Sequence, residues 1–124
     1  MTSLDPVERL PLSLPVFQVL LSLCEGPMHG YAILTDIKAR TDTTVELGAG
    51  TLYAAIKRMA SADLIEQCDP PTGEVVSDAR RRYYRITEKG RALAETEARR
   101  VQSLAALAFD RRLLTDVIPA PSEG

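Results

Sequence analysis

The 124-residue sequence contains no tryptophan, a single histidine and only two cysteines. Cys24 and Cys68 lie far apart and lack the ligand spacing of a zinc site. His29 has no evident nucleophile or carboxylate pair to act with, and no glycine-rich phosphate loop follows a predicted strand. We therefore expect no catalytic residue, no metal ion and no cofactor. Both cysteines are interpreted as structural thiols, with Cys24 buried at the end of an apolar helix.

Long hydrophobic segments are also missing. The longest apolar stretch, Leu14 to Cys24, has half of the ~20 residues that a membrane-spanning helix needs. The first residues are acidic rather than a basic leader, which does not fit a secretory signal. With 45% hydrophobic residues, the composition is that of one ordinary globular domain. We expect a cytoplasmic protein that does not bind membranes.

Acidic residues slightly outnumber basic ones, but positive charge is locally concentrated. The formal net charge is −2, yet six basic residues and one acidic residue lie between Arg80 and Arg91, a local net charge of +5. Such a stripe suits contact with phosphates, because electrostatic attraction depends on nearby charge. The alternative is a solvated charged surface, and charge alone does not separate the two.

Caps and apolar periodicity predict a mainly helical fold with a small two- or three-stranded antiparallel wing. Ser13 is a suitable N-cap for the first helix and Thr87 for the last. The expected elements are helices at 14–24, 29–40 and 50–62, a short strand at 45–47, strands at 64–68 and 82–86, and a helix from 88 to about 114. This order predicts a winged helix-turn-helix followed by a helix about 40 Å long.

The third helix has two different faces. Leu52, Ala55, Ile56 and Met59 follow the spacing of a buried face. The opposite face has hydroxyls, small residues and cations without a carboxylate, as a helix in the major groove requires. Period-two alternation in the second wing strand places Tyr84 and Ile86 on one face and Arg81, Tyr83 and Arg85 on the other. The predicted DNA-binding residues are Thr51, Tyr53, Ala54, Lys57, Arg58, Arg80, Arg81, Arg82 and Arg85.

Several of these residues have an alternative role that the sequence leaves open. Thr51 is also a local capping residue, Tyr53 is also suited to partial core packing, and one wing arginine has the alternative of pairing with a carboxylate. His29 is interpreted as a structural polar residue near the start of the second helix.

The first and last helices carry more apolar surface than one small domain can cover. The first is apolar nearly all round, and the last has an alanine-rich stripe at steps of four and three residues, as in a helix–helix seam. We expect both to pair with a second subunit; packing within the same chain is the alternative. The predicted dimerisation residues are Phe17, Leu20, Leu21, Ala94, Ala98, Val101, Leu104, Ala105 and Ala108.

Three segments resemble the PadR family of bacterial transcriptional regulators. They are Pro27-Met28-His29-Gly30-Tyr31-Ala32-Ile33, then Gly50-Thr51-Leu52-Tyr53 continuing to Leu64-Ile65, and Arg81-Arg82-Tyr83-Tyr84-Arg85-Ile86-Thr87 with Gly90. The single, short C-terminal helix is similar to the compact branch of that family. Ala49 departs from a frequent proline, and Asp63 departs from a frequent glycine just after the third helix, although aspartate tolerates a left-handed backbone.

The resemblance implies a domain plan and a function. It implies an N-terminal arm at 1–12, a winged helix-turn-helix at 13–87, a dimerisation helix at 88–116 and a flexible tail at 117–124. The implied function is a homodimeric repressor whose recognition helices enter major grooves of a pseudo-palindromic operator about 34 Å apart. Some family members bind phenolic or drug-like effectors at the dimer interface. The absence of tryptophan excludes a flat aromatic sandwich dominated by that residue here, and an aliphatic pocket or control by the operator alone remains open. The rival hypothesis is a protein-interaction adaptor that retains the fold and binds DNA weakly.

Overall fold

The computed structural model describes residues 6–40, 48–71 and 82–115. After a 3₁₀ turn at Pro6–Glu8, the elements are α1 (Leu14–Leu23), β1 (Met28–His29), α2 (Gly30–Arg40), α3 (Ala49–Ser61), β2 (Ile65–Cys68), β3 (Tyr83–Ile86) and α4 (Glu88–Asp110). The expected mainly helical fold with a small antiparallel sheet is confirmed. The predicted strand at 45–47 lies outside the described residues.

Two helices begin at the side-chain caps that the sequence predicted. The Ser13 hydroxyl accepts a hydrogen bond from Val16 N–H, and the Thr87 hydroxyl accepts one from Gly90 N–H. These bonds satisfy backbone donors that have no partner within the helix. The start of α2 differs by one residue from the expectation, because His29 belongs to β1 and its Nδ1 accepts from Ala32 N–H at 3.1 Å. The structural role expected for His29 is therefore confirmed.

Helix α3 ends in a Schellman motif. Leu64 N–H donates to Met59 C=O at 2.9 Å and Asp63 N–H donates to Ala60 C=O at 3.1 Å. Asp63 has φ of 66°, the left-handed conformation anticipated for it. Leu64 and Met59 are both fully buried, which supplies the hydrophobic contact that accompanies this motif.

Helix α4 ends four residues before the predicted position. Leu113 N–H donates to Ala108 C=O at 2.9 Å and Arg112 N–H to Phe109 C=O at 3.0 Å, again a Schellman pattern. Arg112 has φ of 66°, which stops the helical backbone although no glycine or proline marks the site. At 23 residues, α4 is about 35 Å long rather than about 40 Å.

The core lies where α1 packs against α2, α3 and α4. Its fully buried side chains come from each of the first three helices and from β2, with Ala94 added by α4. Val7 and Leu12 also join this core, so the segment before α1 packs on the domain. Cys24 is exposed, which corrects the expectation of a buried thiol: it follows α1 at its C-cap, beyond the last core residue, Leu23.

The sheet has the order β1–β3–β2, with both pairings antiparallel. Met28 and His29 pair with Tyr84 and Tyr83, so the third strand comes from the segment before α2. Tyr83 is only 3% exposed, and the expectation that it faces outward with Arg85 is wrong. The ring of His29 stands edge-on to Tyr83 with 5.2 Å between centroids, covering the position that alternation alone assigned to solvent.

The first turn of α4 fits closely against the corner between α3 and β2. Thr87 N–H donates to Leu64 C=O at 3.1 Å, and the Thr87 hydroxyl donates to Asp63 C=O at 2.6 Å. The Lys89 ammonium donates to Ala62 C=O at 2.9 Å. A Cβ added to Gly90 would lie 2.0 Å from Leu64 C=O, so this approach is possible only for glycine.

Two clusters of polar side chains connect α1, or the segment just before it, to a neighbouring helix. The buried Ser22 hydroxyl donates to Asp36 at 2.7 Å and accepts from Arg40 at 2.6 Å, which ties α1 to α2. The Ser22 hydrogen bond and the Arg40 guanidinium hold the pKa of Asp36 below its usual value. Glu97 of α4 is 2% exposed; hydrogen bonds from Arg100 and from Leu12 N–H lower its pKa. Leu12 precedes α1, so this carboxylate joins the entry of α1 to α4.

We expect Gly90→Ala to destabilise the protein by about 2 kcal/mol, since the added methyl overlaps the Leu64 carbonyl and the backbone has to move. Gly50→Ala is the matched control, because a Cβ there meets no atom within 4 Å and alanine is the better helix former. Urea unfolding measures both. Equal stability of the two variants would contradict the close approach.

Candidate nucleic-acid interface

The face of α3 opposite the core is exposed and cationic. Its buried side is formed by Leu52, Ala55, Ile56 and Met59, as the spacing predicted. The predicted DNA-binding residues of this helix are all exposed: Thr51, Tyr53, Ala54, Lys57 and Arg58. The helix has no acidic residue. Its N-cap is Gly48, without a side-chain cap bond, so Thr51 does not provide the local cap that was its alternative role.

A groove of about 640 Å³ lies between α3 and the sheet, and we name it the α3–wing groove. Its polar and aromatic lining comes from β1, the start of α2, α3, β2 and β3. The polar and aromatic side chains of the lining are His29, Tyr31, Tyr53, Lys57, Ser61, Gln67, Arg82 and Tyr84. Among the described residues that line it there is no carboxylate, so the groove suits an anionic partner.

His29, Tyr31 and Gln67 are members of this groove that the sequence analysis did not assign to DNA. The imidazole of His29 is nearly parallel to the Tyr31 ring, with 6.5 Å between centroids and 9° between planes. Tyr31 is exposed, and Tyr53 is 44% exposed. The sequence does contain a pattern that points to His29 and Tyr31, because both lie in the family-like segment 27–33. No sequence pattern points to Gln67, because its position in the groove depends on the pairing of β2 with β3.

The wing arginines do not form one uniform set. Arg82 is exposed at the rim of the groove and makes no salt bridge to another described residue. Arg85 instead donates from Nε to Glu66 at 2.6 Å across the β2–β3 ladder. This hydrogen bond and the Glu66 charge raise the pKa of Arg85. Arg80 and Arg81 lie outside the described residues.

The predicted dimerisation residues fall into two groups, one buried within the chain and one at or near its surface. Leu20 is 0% exposed in the core of its own chain, and Ala94 is buried there too. For these two the expectation of contact with a second subunit is wrong, because both side chains are already buried in the core of their own chain. The other predicted residues lie at the surface or half-buried: Phe17, Leu21, Ala98, Val101, Leu104, Ala105 and Ala108.

An apolar groove of about 560 Å³ runs between α1 and α4, and we name it the α1–α4 groove. Phe17 and Leu21 line it from α1, and Ala98, Val101 and Phe109 line it from α4. Leu104 and Leu107 are not part of this lining and are also exposed on α4. Both α1 and α4 therefore leave large apolar side chains uncovered on the single chain.

Neither a metal centre nor a membrane span is found in the described part of the chain. It holds no cluster of His, Cys, Asp and Glu side chains arranged to bind a metal ion. None of its helices combines the length and the apolar character required to cross a membrane.

Three helices on a short antiparallel sheet, with the exposed face of the third helix beside the β2–β3 hairpin, define a winged helix-turn-helix protein. A family model for the transcriptional regulator PadR-like family matches residues 19–96, from α1 into α4. The chain belongs to this PadR-like family. The family is one of transcriptional regulators and not of enzymes, in agreement with the expectation from the sequence.

Individual relatives support the family and the fold. An uncharacterized protein of Lysinibacillus sphaericus is 34% identical over 74 residues, 60% of this chain and 65% of its own length. An uncharacterized protein in a Streptomyces fradiae transposon is 31% identical over 99 residues, 80% of this chain and 26% of its own length. The chain therefore spans less than two thirds of either relative. A crystal structure of a PadR family transcription regulator from Clostridium difficile has a TM-score of 0.61 and 26% identity, covering 76% of this chain and 95% of that structure.

We expect Arg82→Gln to weaken binding to duplex DNA and to reduce the slope of log affinity against log salt by about one unit, because the groove loses one positive charge that has no ion-pair partner among the described residues. The double variant Glu66→Gln/Arg85→Gln removes a neutral pair and is expected to leave the slope unchanged. Fluorescence anisotropy at several salt concentrations measures both. A double variant as weak as Arg82→Gln would mean that Arg85 itself contacts DNA.

Proposed function

We propose that the protein is a repressor-type regulator that binds a pseudo-palindromic operator as a homodimer. The observation that carries this proposal is the carboxylate-free face of α3, which continues into the α3–wing groove. A helix presented in this way fits the major groove, and cations at its edges fit the flanking phosphates. The family membership supports the same activity.

Base reading and phosphate contact fall to different residues in this proposal. Thr51, Ala54 and Arg58 are exposed on α3 and face base edges or the nearest phosphates. Lys57 and Arg82 border the groove and neutralise phosphates, with Arg80 and Arg81 as further proposed contacts. Tyr53 donates from its hydroxyl to a phosphate oxygen. Backbone contacts set the register of the protein on the duplex, and base contacts set the sequence.

The second subunit is proposed to cover the α1–α4 groove. Its lining is mostly apolar, and Leu21, Val101 and Phe109 within that lining are exposed. Burial of apolar surface stabilises an association by about 25 cal/mol per Å² before the entropy of association is subtracted. A two-fold axis along this surface presents two copies of α3 on one side of the dimer, as an operator with two half-sites requires.

An effector is proposed to act at the same surface. The α1–α4 groove is lined mostly by aliphatic side chains with Phe17 and Phe109, and it also includes Gln102 and Asp110. A largely apolar small molecule is therefore the fitting class. Its binding changes the angle between subunits and therefore the distance between the two α3 helices. The operator fixes that distance, so a change of angle lowers affinity.

We expect wild-type protein to select a two-fold symmetric site from a random duplex pool and to bind it with steep salt dependence. Lys57→Ala is expected to reduce the salt slope by about one unit. Lys38→Ala is the matched control, since Lys38 is exposed near the end of α2 and lines no part of the α3–wing groove. Anisotropy titrations at rising salt give the slopes.

Two outcomes would contradict the proposal. The first is failure to enrich any duplex sequence at low salt, which would favour the adaptor alternative. The second is equal loss of slope in Lys57→Ala and Lys38→Ala, which would mean that charge acts without regard to position.

We expect Val101→Glu to convert the dimer to monomer, because Val101 is 42% exposed on α4 and lines the α1–α4 groove. Ser103→Glu is the control, since Ser103 is exposed on α4 outside that lining. Sedimentation equilibrium measures the mass, and circular dichroism checks that both variants fold. A Val101→Glu variant that remains dimeric would place the interface elsewhere.

A further inference from the structure

The ring of Tyr53 in α3 lies directly against the main chain of Gly30, the first residue of α2. A Cβ added to Gly30 would lie 2.7 Å from Tyr53 Cε1, 3.4 Å from Cδ1 and 3.7 Å from Cζ. One edge of the phenol ring therefore occupies the space where any other residue would have its side chain. Gly30 has no positive φ, so its backbone conformation does not itself demand glycine.

This contact joins the two helices of the helix-turn-helix at the α3–wing groove. Tyr53 and Gly30 both line that groove, together with Lys57 and Arg82. On the other side of Gly30, the His29 ring fixes the first turn of α2 by accepting from Ala32 N–H. An aromatic side chain that is 44% exposed has several rotamers open to it. The flat surface at Gly30 favours one of them.

We propose that Gly30 is a positioning residue for DNA binding, because its missing side chain lets the Tyr53 phenol take the orientation that delivers its hydroxyl to the duplex. This inference rests on the proposed function of the groove. The obstacle to alanine at position 30 is the end of a rotatable side chain and not backbone. A methyl group there turns the Tyr53 ring away and leaves the fold in place.

The test is a double-mutant cycle on Gly30→Ala and Tyr53→Ala with the selected operator. Gly30→Ala is expected to lower affinity about tenfold, the effect of losing one hydrogen bond to a charged group. Tyr53→Ala is expected to lower affinity by a similar factor. The combined variant is expected to bind no more weakly than Tyr53→Ala alone, since the methyl then meets no ring.

Two further measurements separate positioning from a structural role. The unfolding midpoint of Gly30→Ala is expected to equal or exceed that of wild type, because alanine favours the helix more than glycine does. The α-proton resonances of Gly30 are expected to move when Tyr53 is replaced by alanine, since the ring current of the phenol no longer acts on them. A lowered midpoint or unmoved resonances would overturn the inference.

The binding data test this inference separately from the proposed function on which it rests. Wild-type protein that selects no operator sequence overturns the proposed function and this inference with it. Wild-type binding with no loss in Gly30→Ala, or no loss in Tyr53→Ala, overturns the inference alone. A tenfold loss from Gly30→Ala that persists in the Tyr53→Ala background also overturns it, because position 30 then acts on the duplex without the ring.

Discussion

The close approach of α4 to the corner after α3 is the constraint on which the rest of the structure depends. Gly90 allows the first turn of α4 to reach the Leu64 carbonyl, and Thr87 bonds to the same corner. That corner exists because Asp63 adopts a left-handed backbone that ends α3. The helix proposed to read DNA and the helix proposed to form the dimer are thereby held together by hydrogen bonds at this corner. Such packed backbone suits the proposed dimeric regulator, whose two recognition helices would have to keep one separation.

Basic side chains that are already paired with carboxylates attract phosphates less strongly than unpaired ones. Ion pairing within this slightly acidic chain therefore decides which basic residues are available to bind a nucleic acid. Several basic residues are already held by carboxylates of the chain, in the pairs Arg40–Asp36, Arg85–Glu66, Lys89–Glu8 and Arg100–Glu97. Each of these pairs neutralises itself and contributes little to a distant phosphate. The exposed cations of α3 and the rim residue Arg82 have no such partner among the described residues. A chain of negative net charge can therefore present one positive surface.

Local signals in the sequence predicted most of the fold and the α3 half of the site. Capping by Ser13 and Thr87, the buried stripe of α3 and the left-handed Asp63 all depend on residues within a few positions of each other. The errors arise where distant segments meet. A strand of two residues has no periodicity, so Met28–His29 was not recognised, and neither was the covering of Tyr83 by His29. Leu20 and Ala94 fit a helix seam equally well within one chain or between two, and only the fold assigns them to the interior. The contact between Gly30 and Tyr53 is likewise a product of tertiary packing.

The buried Glu97 makes the contact between α4 and the segment before α1 sensitive to acid. Because Arg100 and Leu12 N–H stabilise the carboxylate and lower its pKa, its contribution to folding is complete above the pKa of an unfolded glutamate, about 4.3. That contribution is lost as the pH falls through the lower, folded-state pKa. Protons in moderately strong acid therefore compete with Arg100 and Leu12 for the Glu97 carboxylate, at the contact between the entry of α1 and α4.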